Sequence, residues 1–122
     1  MALVLVADDT PEVAELLRDL LESRGHQVAV VADGVGLIER AKSIAPKLIV
    51  SDIMMPGTYG SSAYKALQDD AHTRGIPVLF VTGVTPQQAE KVVPASPRVR
   101  VLHKPLDVLR VLKAVEELLG AA

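Results

Sequence analysis

The strongest constraint on the fold is a set of short, valine-rich apolar runs that recur between amphipathic segments. Four of these runs are continuous rather than alternating, as expected for parallel strands covered on both faces, and they occupy residues 3–7, 27–31, 47–51 and 77–81. A fifth run, residues 98–102, alternates arginine and valine before it ends in leucine. This alternation predicts a strand at an edge of the sheet.

The segments between the apolar runs have helical periodicity. Between Pro11 and Gly25, the apolar side chains follow the i, i+3, i+4, i+7, i+8 spacing of one helix face: Val13, Leu16, Leu17, Leu20 and Leu21. Further helices are predicted over residues 35–44, 61–69, 86–93 and 106–119, of which 86–93 is short and polar. Strands and helices that alternate with short connections predict an α/β fold with a doubly wound, five-stranded parallel sheet.

The composition excludes several classes of function. The 122 residues suit one domain over residues 1–122, and the absence of cysteine excludes disulfides, thiolate catalysis and cysteine-based zinc sites. A formal net charge of −2, a single Phe and no Trp argue against direct binding of nucleic acid or membranes. Since no apolar stretch could cross a bilayer and no signal peptide is evident, we expect a cytoplasmic protein.

Charged side chains stand directly after the predicted strands. Asp8 and Asp9 follow the first run and Asp52 follows the third, and the carboxyl ends of neighbouring parallel strands meet at one edge of a sheet. Two like charges about 4 Å apart repel by about 4 kcal/mol at an effective dielectric constant of about 20, so three carboxylates need cations. Oxygen ligands of this kind favour Mg²⁺.

Two further polar residues end strands at the same edge. Lys104 follows the fifth run and supplies a second cation, while Thr82 follows the fourth and supplies a hydroxyl. Together with a metal they predict a pocket for a transferred phosphoryl group, which an aspartate can accept as an acyl phosphate. The residues leave the acceptor open among the three aspartates, but they favour Asp52, because it stands singly.

Four motifs, in this order and spacing, carry a resemblance to a known family: VADDTPE, SDIMMPGTYG, VTG and HKPL. They resemble the receiver domain of bacterial two-component response regulators, and the resemblance runs from the first strand to the last helix. It implies a flavodoxin-like (βα)5 fold with strand order 2-1-3-4-5. In that order the acidic pocket lies where the first and third strands meet.

The resemblance also implies a role for each residue of the pocket. Asp52 is the expected phosphoacceptor, Thr82 is expected to contact a phosphoryl oxygen, and Lys104 is expected to pair with the phosphate. The expected Mg²⁺ ligands are the carboxylates of Asp8, Asp9 and Asp52 and the main-chain carbonyl of Met54. The bond between Lys104 and Pro105 is expected to be cis.

These roles predict a phosphorelay protein rather than an enzyme with a separate substrate. A histidine kinase or a histidine phosphotransfer protein would donate the phosphoryl group, and the altered surface would change the binding of a downstream protein. We expect a monomer or a weak dimer. The alternatives are an interaction module of the same fold that is not phosphorylated, and a Mg²⁺-dependent phosphatase with an aspartyl-phosphate intermediate, although such phosphatases carry a D-x-D pattern instead of adjacent aspartates.

One position departs from the family pattern. Receivers usually carry a Tyr or Phe three residues before the lysine, a ring that changes rotamer on activation, and this chain has Val101 there. We therefore predict that a phosphorylation signal travels through the loop of residues 83–85 and the helix after it. The three histidines are interpreted as ordinary surface or loop residues: His26, His72 and His103.

Overall fold

The computed structural model describes residues 2–54, 60–93 and 96–120. Its strands are β1 (Leu3–Ala7), β2 (Gln27–Val31), β3 (Leu48–Ser51), β4 (Val78–Thr82) and β5 (Val99–His103). Its helices are α1 (Pro11–Glu22), α2 (Gly34–Ile44), α3 (Gly60–Gln68), α4 (Pro86–Val92) and α5 (Val108–Gly120). Residues 55–59 of the motif SDIMMPGTYG lie outside the described residues.

The five strands form one parallel sheet in the order β2-β1-β3-β4-β5. This confirms the predicted doubly wound topology, in which strand order reverses between β1 and β3. Alternate residues of each strand enter opposite core layers, so that Val4 and Val6 pack on the side of α1 and α5, whereas Leu5 and Ala7 pack on the side of α2 and α3. The aliphatic runs therefore serve two cores at once, which is why they are continuous.

The two edges of the sheet differ from the prediction in one respect. The alternating run forms β5 and lies at an edge, as predicted. The prediction that residues 27–31 are a fully buried strand is wrong, because β2 forms the opposite edge and Val30 is 42 % exposed. A continuous apolar run does not specify which strands lie at the centre, since the crossover connections decide the strand order.

A proline in the first turn of α1 and a capping aspartate before α5 mark where the two long helices begin. Helix α1 begins at Pro11, as predicted, and Gly25, at φ 88°, lies in the turn that follows the helix. Helix α5 begins at Val108 rather than at residue 106. Its start is set by Asp107, whose Oδ1 accepts hydrogen bonds from the main-chain N–H groups of Leu109 and Arg110.

No helix within the described ranges is long and apolar enough to cross a membrane.

Candidate functional site

The acidic residues meet because β1 and β3 are hydrogen-bonded neighbours. The register pairs Ala7 with Ser51, so the residues that follow them, Asp8 and Asp52, leave the sheet side by side. The main-chain N–H of Asp52 also donates to the Ala7 carbonyl at 2.9 Å, which extends the ladder into the site. Asp8 and Asp52 are buried, with exposed fractions of 3 % and 7 %, whereas Asp9 is exposed.

The three carboxylates form a compact oxygen cluster. One oxygen each from Asp8, Asp9 and Asp52 lies within 4.8 Å of the others. Part of their hydrogen-bonding capacity is already used by the main chain, since Asp8 Oδ1 accepts from the N–H of Thr10 at 2.9 Å and Asp52 Oδ1 accepts from that of Met54 at 3.2 Å. Hard oxygen donors of like charge, partly buried and partly open to solvent at Asp9, fit a divalent cation such as Mg²⁺.

Lys104 brings a positive charge to this cluster from the end of β5. Its Nζ donates to Asp52 Oδ2 at 3.0 Å and to Asp8 Oδ2 at 3.3 Å. The main-chain N–H of Lys104 donates to the Thr82 carbonyl at 2.7 Å, and the Lys104–Pro105 peptide is cis, as expected from the sequence. The lysine therefore ties the fifth strand to both buried carboxylates, although 52 and 96 residues separate it from them along the chain.

Burial and charge act in opposite directions on these groups. Burial raises the pKa of Asp8 above its ordinary value of 3.8, even though the hydrogen bond from Thr10 and the charge of Lys104 act to lower it, and the charge of Asp52 adds to the rise. Burial acts to lower the pKa of Lys104, but the hydrogen bonds and charges of Asp52 and Asp8 outweigh it, so that this pKa lies above 10.5. The ammonium group is therefore fully charged at neutral pH, and this one cation lies between two buried carboxyl groups.

Thr82 is fully buried at the end of β4. Its Oγ1 accepts a hydrogen bond from the main-chain N–H of Val84 at 3.2 Å. A hydroxyl has one proton to donate and two lone pairs to accept with, so this contact uses an acceptor site and leaves the proton available.

The position three residues before Lys104 is occupied by Val101, a half-buried side chain that packs against the core cluster of α2 and α3. In the register of the sheet it pairs with Phe80 of β4. The Phe80 ring is fully buried and contacts Tyr64 edge to face, with ring centroids 5.8 Å apart. An aromatic residue does lie next to this position, but its ring is enclosed in the core.

His103 is exposed, as the sequence interpretation expected, and it has a contact that the sequence did not predict. His103, interpreted as an ordinary loop or surface residue, ends β5 and places Nδ1 at 2.9 Å from the carbonyl oxygen of Val84. The available signal was its position directly before Lys104. The contact itself could not be read from the sequence, because it depends on the pairing of Thr82 with His103 in the sheet.

The acidic cluster and the lysine lie at the carboxyl edge of a doubly wound sheet, which is where α/β domains of this class bind their ligands. The sequence matches the response regulator receiver domain over residues 4–116, and the chain belongs to this family. It is thus a receiver domain of two-component response regulators, and the members of this family are signalling phosphoacceptors.

Two curated relatives match nearly the full chain. Protein PilH of Pseudomonas aeruginosa is 36 % identical over 121 residues, which cover 98 % of this chain and 99 % of PilH. The polar-differentiation response regulator DivK of Brucella anthropi is 29 % identical over 119 residues, which cover 98 % of this chain and 97 % of DivK.

Solved structures share the fold. The receiver domain of a signal transduction histidine kinase from Syntrophus aciditrophicus superposes with a TM-score of 0.90 at 26 % identity, covering 100 % of this chain and 92 % of that one. The chemotaxis response regulator CheY4 of Vibrio cholerae has a TM-score of 0.84 at 26 % identity, covering 97 % and 98 %. The receiver domain of the sensor histidine kinase PA1611 from Pseudomonas aeruginosa, with a magnesium ion coordinated in its active site cleft, has a TM-score of 0.89 at 22 % identity, covering 98 % of each chain.

Proposed function

We propose that Asp52 accepts a phosphoryl group from a histidine kinase or a histidine phosphotransfer protein. One observation carries this proposal: the carboxylates of Asp8, Asp9 and Asp52 gather within 4.8 Å, and Lys104 Nζ lies 3.0 Å from Asp52 Oδ2. In the transfer, the bond between phosphorus and the donor's histidine nitrogen breaks, and a bond between phosphorus and an Asp52 carboxylate oxygen forms. The nitrogen keeps the electron pair of the broken bond.

The choice of Asp52 over the other two aspartates rests on its position. It is the single acidic residue at the end of β3, the central strand of the sheet, and both of its oxygens are oriented by hydrogen bonds from Met54 and Lys104. Asp8 is more deeply enclosed, and Asp9 is the exposed member of the cluster. An oriented carboxylate in a pocket that already holds a cation suits in-line attack on phosphorus.

The oxygen cluster fits Mg²⁺, which would be held by Asp8, Asp9 and Asp52, with the Met54 carbonyl as a further expected ligand. When bound, the ion would offset the charge of the carboxylates and of the phosphoryl oxygens. Lys104 supplies a fixed second positive charge, and the Thr82 hydroxyl has a proton to donate to a phosphoryl oxygen.

Phosphorylation would change the binding of a downstream protein through the loop after β4. Val101 lacks the ring that other receivers move, so the route proposed here runs from Thr82 through residues 83–85 into α4. Main-chain amide chemical shifts in residues 83–92 should change when Asp52 is phosphorylated. Shift changes confined to the immediate neighbours of Asp52 would contradict this route.

The phosphoacceptor assignment is tested with Mg²⁺ and acetyl phosphate as a small phosphodonor. We expect intact mass spectrometry to show one added phosphoryl group on the wild type and none on Asp52→Asn, and a chelator should prevent the addition. Asp69→Asn is the matched control, because Asp69 is exposed and follows the C-terminal end of α3, away from the carboxyl edge of the sheet. An equal adduct on Asp52→Asn would contradict the assignment.

An interaction module without phosphorylation is the second candidate, and Val101 favours it, because the ring that usually reports phosphorylation is replaced by an aliphatic side chain. It predicts that the wild type binds Mg²⁺ but gains no phosphoryl group in the same experiment.

A further inference from the structure

The main-chain N–H and the main-chain carbonyl oxygen of Val84 each make a hydrogen bond to a side chain. Its N–H donates to Thr82 Oγ1 at 3.2 Å, and its carbonyl oxygen lies 2.9 Å from His103 Nδ1. Val84 thus connects the buried hydroxyl at the end of β4 to an imidazole at the end of β5. Its half-buried side chain also packs against the core cluster of α2 and α3.

The chemistry of the contact defines the state of the His103 ring. A carbonyl oxygen only accepts hydrogen bonds, so Nδ1 must carry the proton. The Val84 N–H occupies an acceptor site of the Thr82 hydroxyl, which directs the hydroxyl proton to another partner. A ring that holds Val84 in place therefore also fixes the direction in which Thr82 can donate.

The position of the His103 main chain is fixed independently of this contact. His103 pairs with Thr82 in the sheet, and the next residue, Lys104, donates its main-chain N–H to the Thr82 carbonyl at 2.7 Å. The imidazole itself is exposed, so packing does not hold it. Among the residues that the structure describes, the hydrogen bond to Val84 is the interaction that orients the ring toward the loop.

We propose that His103 is a positioning residue for phosphorylation, which acts through Val84 to orient the Thr82 hydroxyl toward the phosphoryl group. This inference rests on the proposed phosphorylation of Asp52. His103 would thus position the loop of residues 83–85. Val101 cannot do so, because its side chain has neither a polar group nor an aromatic ring.

The test compares three variants that differ in where they place a donor. In His103→Asn, the side-chain amide nitrogen lies near the position of Nδ1 and can donate to Val84. In His103→Gln, the amide nitrogen reaches the position of Nε2 instead, and in His103→Leu the side chain has no donor. The rate of adduct formation on Asp52 with Mg²⁺ and acetyl phosphate is measured for each. We expect His103→Asn to react at close to the wild-type rate, and the other two to react about fivefold more slowly, as the loss of one hydrogen bond implies.

Two further measurements separate positioning from a general loss of structure. Mg²⁺ affinity should stay at the wild-type value in all three variants, since the carboxylates expected to bind the ion do not contact His103, and thermal unfolding should remain a single cooperative transition. A long-range ¹H–¹⁵N spectrum of the unphosphorylated wild type should show Nδ1 protonated, and the Thr82 and Val84 amide signals should shift in the Leu and Gln variants but not in the Asn variant.

Equal rates in all variants would overturn the inference, as would a slow Asn variant or an unprotonated Nδ1 in the neutral ring. The absence of any adduct on the wild type is a different result, because it rejects the proposed phosphorylation. In that case the ring spectrum and the amide shifts still decide whether His103 holds Val84 in position.

Discussion

The carboxyl edge of the sheet has two halves that are held together by different forces. Above β1 and β3, two buried carboxylates share one ammonium group at 3.0 and 3.3 Å, and a third carboxylate completes the cluster. Above β4 and β5, the loop is held by single hydrogen bonds at Val84, one of which comes from the exposed ring of His103.

This difference shows which half of the edge can vary. One ammonium group in the first half compensates both buried carboxylates, so its loss leaves them buried without a cation, at a cost of several kcal/mol in related cases. Hydrogen bonds in the second half are each worth about 1 kcal/mol. A valine at position 101, where receivers usually carry an aromatic residue, is therefore compatible with the same fold and with an intact carboxylate cluster above β1 and β3.

The difference between the two halves predicts that Lys104 contributes more to the free energy of unfolding than a lysine on the surface. Lys104→Met leaves Asp8 and Asp52 without their cation, and we expect the free energy of unfolding in metal-free buffer to fall by about 2 kcal/mol, less than for a fully buried pair because the lysine is partly exposed. Addition of Mg²⁺ should restore part of this loss. Urea unfolding with and without Mg²⁺ provides the measurement.

Lys47→Met serves as the control for that experiment, because Lys47 is exposed and precedes β3 at the opposite edge of the sheet. A similar loss of stability in both variants would mean that Lys104 does not compensate the cluster.

Asp8→Asn tests whether burial of the Asp8 carboxylate lowers the free energy of unfolding. Because burial raises the pKa of Asp8, the folded state binds its proton more tightly than the unfolded chain, so stability falls as pH rises from 3.8 through the pKa in the folded state. The Asn variant lacks this dependence, and we expect it to be more stable than the wild type at neutral pH without Mg²⁺. Its Mg²⁺ affinity should be lower by about tenfold or more.

The control for Asp8→Asn is Asp9→Asn, in which the exposed member of the cluster changes. It should lose Mg²⁺ affinity without the gain in stability. Urea unfolding across the acidic to neutral range, together with Mg²⁺ titration, measures both effects, and a destabilised Asp8→Asn variant would count against the burial cost.

The smallest expected effect concerns Met54, at the border of the first half. Its side chain is 48 % exposed and apolar, so it cannot hold an attacking water by a hydrogen bond. Met54→Asn should shorten the lifetime of phosphorylated Asp52 by about threefold, whereas Met54→Leu should leave it unchanged. Decay of the phosphorylated protein, followed by intact mass, measures the lifetime, and equal decay in both variants would contradict the prediction.

Much of the fold and of the candidate site could be predicted from the sequence. The apolar runs and helical spacings located all five strands and all five helices of the described residues to within about two residues. The motifs predicted that Asp8, Asp52 and Lys104 lie in one pocket. The prediction for β2 was wrong and the His103 contact was not predicted at all, because distant contacts decide both. The exposure of β2 follows from strand order, and the contact of His103 with Val84 follows from the register of β4 and β5.

The sequence by itself determined the alternation of buried strands and amphipathic helices, because hydrophobic periodicity is a local property of the chain. It also determined which residues stand at strand ends, and therefore the composition of the acidic cluster. Only the tertiary structure decided that one ammonium group lies between two carboxylates and that the His103 ring lies within hydrogen-bonding distance of the Val84 carbonyl. Distances between groups 19 to 96 residues apart depend on strand order and register, and no local pattern encodes them.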